Sequence, residues 1–270
     1  MESVLTSVLK LQFEPVAIIW SDEKPDNALQ FKKKRWGCVM TLFAQVARGK
    51  TAVFDRDTFG CWGGGVGLGF GNQYLNVPGG IEGFYRFLSS GNETWGSQNK
   101  LAETICTVIN NHFMEQLRHG ERYVKSPDLV KDFVARLPII DVPWDYVIFK
   151  PLKEVDAARE KPVVIIFTVT PDQLSALTVL ANYARDGIEH VTIPFAAGCQ
   201  TIGILPYSEA ASEYPRAVIG LTDLAARKQV RMLLGKDILT FAVPLKMFYE
   251  LEAHIKGSFL EMDAWKGLVE

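Results

Sequence analysis

Short, almost purely apolar runs recur along this chain, with helix-like stretches between them. Val16-Ala17-Ile18-Ile19-Trp20, Tyr146 to Phe149, Val163-Val164-Ile165-Ile166-Phe167, Ala217 to Leu221 and Ile238 to Val243 are all strand-sized. A strand that is apolar on both sides of its pleat must be covered on both faces, and helices are the usual cover. The expected fold is therefore α/β, one domain over residues 1–270 with a largely parallel or mixed sheet.

Between the runs lie the covering elements. Val4, Leu5, Val8 and Leu9 recur at helical spacing and Pro15 stops them, which predicts a short amphipathic helix packed on the body. Val39 to Arg48 reads as a helix ending at Gly49, followed by a strand over Thr51 to Phe54. Pro171-Asp172 opens a helix reaching about Arg185, and His190 to Phe195 reads as a strand. Further helices are expected over Lys100 to Leu117, from Thr222, and over Leu245 to His254.

The same order occurs twice. TLFAQVAR (Thr41 to Arg48) aligns with TVLANYAR (Thr178 to Arg185), and Gly60-Cys61 aligns with Gly198-Cys199 at a shift of one residue. Strand, helix, strand and Gly-Cys turn in one order suggest two internally related strand-helix-strand halves, roughly 15–71 and 162–206, joined by helices around 99–135.

Composition narrows the function classes. Hydrophobic residues make up 48% and charged residues 22%, as in an ordinary globular protein, and the net charge of −2 does not suit a polyanion binder. The single basic run, Lys32 to Arg35, has no aromatic interleaving and reads as a solvated loop, so no nucleic-acid partner is expected. No apolar run reaches the ~18 residues that a membrane helix needs, and the N-terminus lacks the basic leader of a signal peptide. Four cysteines without a secretion signal predict free thiols and a cytoplasmic location.

The chemistry-bearing residues cluster at the Gly-Cys turns. Gly60, Gly63, Gly64 and Gly65 begin a glycine-dense loop that runs to Gly71, and Gly198 precedes Cys199. Such a loop is either a tight turn packed under Trp62 or a cradle whose N–H groups hold an anion or the sulfurs of a cluster. It has neither the dinucleotide-binding nor the phosphate-loop register. Cys38 is placed at the start of a helix, where the dipole favours a thiolate. Cys38, Cys61 and Cys199 come from separate elements and could ligate an iron–sulfur cluster or zinc, although their long spacing matches no local zinc motif. Cys106 reads as a core residue, His112 and His119 as solvated, and Asp223 with Arg227 as a helix cap with an i,i+4 ion pair.

Several stretches together resemble the domain of unknown function 169 family of archaeal and bacterial proteins. They are RWGCVMTLFAQVARG, FGCWGGGVGLG, VTPDQLSALTVLANYARD, IPFAAGCQ, AVIGLTDLAAR, ILTFAVP and GSFLEMDAW. The resemblance implies a cytosolic protein with Cys38, Cys61 and Cys199 in motif positions. It implies no reaction, and Cys106 lies outside these stretches. Three functional readings follow. The first is a metal or iron–sulfur protein ligated by Cys38, Cys61 and Cys199, acting on a small molecule or with a redox partner. The second is a metal-free module that binds a small anion on the glycine loop. The third is a thiol enzyme using Cys61 or Cys38, for which no histidine in these motifs offers a base.

Overall fold

The structure is a computed structural model that describes residues 1–33, 35–94 and 111–269. Seven strands form one sheet: β1 (Val16–Ser21), β2 (Ala52–Phe54), β3 (Tyr146–Pro151), β4 (Val164–Val169), β5 (Val191–Thr192), β6 (Ala217–Gly220) and β7 (Leu239–Pro244). Their spatial order is β2-β3-β1-β4-β7-β6-β5. Among the described residues the helices are α1 (Val4–Val8), α2 (Val39–Val46), α3 (Trp62–Leu68), α4 (Gly80–Leu88), α5 (Asn111–His119) and α6 (Pro127–Arg136) in the first part. They continue with α7 (Pro171–Asn182), α8 (Gly198–Ile202), α9 (Ile204–Ala210), α10 (Leu224–Leu234), α11 (Leu245–Ala253) and α12 (Asp263–Val269). No helix among the described residues is long and apolar enough to cross a membrane.

The sheet is mixed. Only β5 and β6 pair in parallel; every other neighbouring pair is antiparallel. Strand–helix alternation does produce strands that run the same way, but apart from β5 and β6 these are not neighbours. β3 and β4 run together with β1 between them, and β4 and β6 run together with β7 between them. The alternation reports strand direction, and pairing is a non-local choice that it does not encode.

β1, β2, β3, β4 and β7 each supply alternate residues to two cores. Val16, Ile18, Phe54, Phe149, Val164 and Ile166 face a layer containing α2, α3, α8 and α10. Ala17, Ile19, Val53, Ile148, Ile165, Phe167 and Phe241 face the layer of α1, α7 and α11. The two apolar sides read from the sequence are thus both used. The N-terminal helix packs as expected, with Leu5 and Leu9 fully buried.

An internal relation between halves is not shown by this arrangement. Both aligned segments are helical, but α2 lies on one face of the sheet and α7 on the other. A twofold relating the antiparallel neighbours β1 and β4 would keep both helices on one face. Trp20 and Phe167 likewise point to opposite faces, Trp20 edge-on to Tyr207 and Phe167 against Phe248.

Cys106 and most of the helix expected over Lys100 to Leu117 lie outside the described residues. His119 is half-exposed, between Glu93 and Glu115.

Candidate ligand cavity

The glycine-dense segment is a helix. Trp62 to Leu68 form α3, and Gly63, Gly64 and Gly65 have ordinary helical geometry; positive φ falls instead on Gly60 (81°), Gly69 (89°) and Gly71 (73°). Glycine is a poor helix former, so packing must hold this one. A Cβ on Gly64 would sit 2.7 Å from the Phe59 carbonyl oxygen, and one on Gly65 2.6 Å from Gln73 Cγ. On Gly67 it would meet the backbone of Cys199 at 2.7 Å, and on Gly203 the carbonyl oxygen of Gly67 at 1.9 Å. The glycines let α3, α8 and their loops touch backbone to backbone. At Gly60 the positive φ turns the chain beside Gly37, which brings Cys61 next to Cys38.

Four helix starts converge here. Cys38 precedes α2; Cys61 caps α3, its Sγ accepting from Gly64 N at 3.3 Å. Cys199, in the first turn of α8, donates its thiol to the Gly63 carbonyl at 3.1 Å. Asp223 caps α10, its Oδ1 accepting from Ala225 N (2.8 Å) and Ala226 N (3.2 Å), while Oδ2 accepts from Gly198 N at 3.1 Å. One carboxylate therefore ties the start of α10 to the start of α8. Arg227 makes no ion pair with it; its guanidinium donates to the carbonyls of Leu221, Lys236 and Ile238. That clamp holds the turn after β6, where Leu221 has φ of 60°, a conformation rare for leucine.

These starts surround a cavity of about 550 Å³. Cys38, Cys61, Cys199, Gly63, Asp223 and Glu121 line it together with Tyr74 and Gln200, and much of the remaining wall is apolar or aromatic: Trp36, Trp62, Phe84, Phe87, Phe133 and Phe195. Volume and lining both suit a small organic ligand. Of the other expected glycines, Gly64 and Gly65 pack against protein, Gly60 makes the turn, and Gly198 sits against Met40 and Ala226.

The thiols are free and held neutral. Burial pushes Cys61 up to about 12, with the neighbouring Cys38 adding to the rise. Burial also raises Cys199 well above the ordinary thiol value and raises Cys38, and the Asp223 carboxylate contributes in each case. Glu121 is pushed up to about 7, first by burial and then by Asp223. The helix-start advantage expected for a Cys38 thiolate is thus outweighed by desolvation. Among the described residues, no three His, Cys, Asp or Glu side chains are grouped so as to hold a metal ion.

Sequence patterns left several lining residues unmarked, among them Glu121, Gln200 and Tyr74. Gln200 is fully buried, its Oε1 accepting from Ala197 N (2.9 Å) and its Nε2 donating to the Tyr74 hydroxyl (2.6 Å). The Tyr74 ring is stacked on Phe84 at 3.7 Å between centroids. Ala197-x-x-Gln200 gives no capping signal, because alanine offers no side-chain acceptor at the N-cap, and nothing in the sequence marked Tyr74.

The family model of uncharacterised ArCR proteins, domain of unknown function 169, matches residues 4–254. The chain belongs to this family. Cys38, Cys61, Cys199 and Asp223 all fall inside the matched span, whereas GSFLEMDAW lies beyond its end. No curated protein and no solved structure matches the chain.

Proposed function

We propose that this DUF169 protein binds a small, largely apolar molecule in the cavity, with its three thiols in the wall. The observation that carries the reading is the convergence of Cys38, Cys61 and Cys199 on one cavity lined largely by aromatic and aliphatic groups. Burial leaves the thiols protonated, so they act here as soft, weakly polar surface. A reducing, cytoplasmic setting suits three free cysteines. An anion held on the glycine loop has less support, because the N–H groups of Gly64 and Gly65 already bond Cys61 Sγ and the Cys61 carbonyl.

The test is binding of the uncharged fluorophore N-phenyl-1-naphthylamine to the full chain, followed by emission. The reading expects saturable one-to-one binding that is lost in Ala225→Phe, which projects a ring into the cavity. Binding unchanged by Ala225→Phe in a folded protein would sink it.

A second reading keeps the cysteine-ligated zinc or iron–sulfur centre; Cys38, Cys61 and Cys199 share one cavity wall, but among the described residues they are not grouped as a metal site, so it ranks below the first. It expects stoichiometric iron or zinc in protein purified without oxygen, and loss of that metal in the triple Cys→Ser variant.

A further inference from the structure

The hydrogen-bonding roles at the inner wall leave one proton over. Gln200 must present Oε1 to the Ala197 N–H, since the reversed amide would set two donors against each other. Its Nε2 therefore donates, and the Tyr74 oxygen accepts at 2.6 Å. The remaining hydrogen bonds of Tyr74 are made by its backbone, the N–H donating to Asn72 Oδ1 and the carbonyl accepting from Val77 N–H, and neither takes the phenol proton. Among the described residues, then, the Tyr74 O–H has no acceptor. The residue is only 2% exposed and its ring is stacked on Phe84, so the phenol cannot swing out to solvent. It lines the cavity, and the phenol proton has only the cavity's occupant to meet.

We propose that Tyr74 is the polar anchor of the cavity, donating its O–H to a carbonyl oxygen of an uncharged, mostly apolar ligand. The proposal rests on the ligand-binding reading above and names the ligand's class. An acceptor oxygen is required because the free group is a donor. An uncharged ligand is favoured because the Asp223 carboxylate lines the same cavity, where a second anion would be repelled in poorly screened surroundings. An apolar body fits the aromatic wall. A ketone, amide or quinone-type carbonyl on an aromatic frame has all three properties.

Three naphthalenes of similar size test this on the full chain: 1-acetonaphthone carries the carbonyl, 1-ethylnaphthalene lacks it, and 1-naphthoate carries a charge. Affinities are read by titration calorimetry and by quenching of tryptophan emission. The expected result is that the native chain binds the ketone about 5- to 10-fold tighter than the hydrocarbon, the worth of one net hydrogen bond, and binds the carboxylate more weakly than the ketone. Tyr74→Phe should erase the preference for the ketone while leaving the hydrocarbon's affinity unchanged. Gln200→Glu keeps the phenol but offers it an acceptor, and should erase the preference as well. A ketone preference that survives Tyr74→Phe overturns the anchor while leaving the cavity reading intact. If none of the three binds the native chain, the cavity reading fails and the anchor falls with it. A carboxylate that binds tightest overturns the uncharged class.

Discussion

The two faces of the sheet are covered by helices of different construction. On one face α7 runs for 12 residues, opened by Thr170 and Gln173 in a reciprocal capping box with Pro171 at its first position. It seats Leu177 and Leu180 on Phe167 and its neighbours in a closed core. On the other face α3 has 7 residues and α8 has 5, one of them mostly glycine, and their starts lean together with those of α2 and α10. Apolar side chains fill the first face between the sheet and its helices, whereas the second is held open around three thiols and two carboxyl groups. The contrast separates where stability is stored from where a ligand can be held.

The largest effect that would test this division is at Gly203. Alanine there sets a methyl against the Gly67 carbonyl, with backbone on both sides and no side chain able to yield. Gly203→Ala should lose roughly 4 kcal/mol or more in urea unfolding, or fail to fold. Near-native stability would mean that α3 and α8 are not locked together. Next comes a matched pair of truncations. Phe167→Ala, on the closed face and fully buried, should cost about 3–5 kcal/mol. Phe133→Ala, on the cavity wall and partly exposed, should cost no more than about 1.5 kcal/mol. Equal losses would erase the distinction between the faces.

A smaller effect is expected in the pH dependence. The Glu121 carboxyl is raised in the folded state to about 7 from an ordinary 4.5, so folding favours its protonated form. That contribution is complete below about pH 4.5 and is lost as pH rises through 7. Glu121→Gln should therefore gain about 1–2 kcal/mol over the native chain at pH 8 and lose that advantage at pH 4.5, as read from paired thermal melts. A difference that is flat with pH would show that the carboxyl faces water. The smallest effect concerns thiol reactivity. Asp223→Asn retains a capping oxygen and removes the charge that raises the three thiols, so iodoacetamide should alkylate Cys38 about 2- to 5-fold faster at pH 8. An unchanged rate would place the carboxylate too far away to matter.

Much of the frame was legible. Ile18, Ile148, Ile165 and Phe241 sit in runs apolar on both sides, and such runs can only be strands between two layers. Cys38 was read at a helix start, and the Gly-Cys pairs as turns where the chain changes element; both readings follow from local spacing. The glycine segment was misread because intrinsic propensity argued against a helix, and the close approach of α8, which requires Gly67, comes from residues more than a hundred positions away. The expected ion pair of Asp223 with Arg227 gave way for a similar reason. Asp223 is occupied by three backbone N–H groups and Arg227 by three carbonyls; of those partners Gly198 belongs to α8, and Lys236 and Ile238 lie in the loop before β7.

By itself the sequence determined the class of fold, the strands, the capped starts of α7 and α10 and the family, because each rests on residues near one another along the chain or on the pattern as a whole. Tertiary structure alone decided that β1 would lie between β3 and β4, that α2 and α7 would take opposite faces, and that Tyr74, Gln200, Glu121 and Asp223 would join the cysteines around one cavity. Those outcomes depend on which distant surfaces bury each other best, and no local pattern carries that choice.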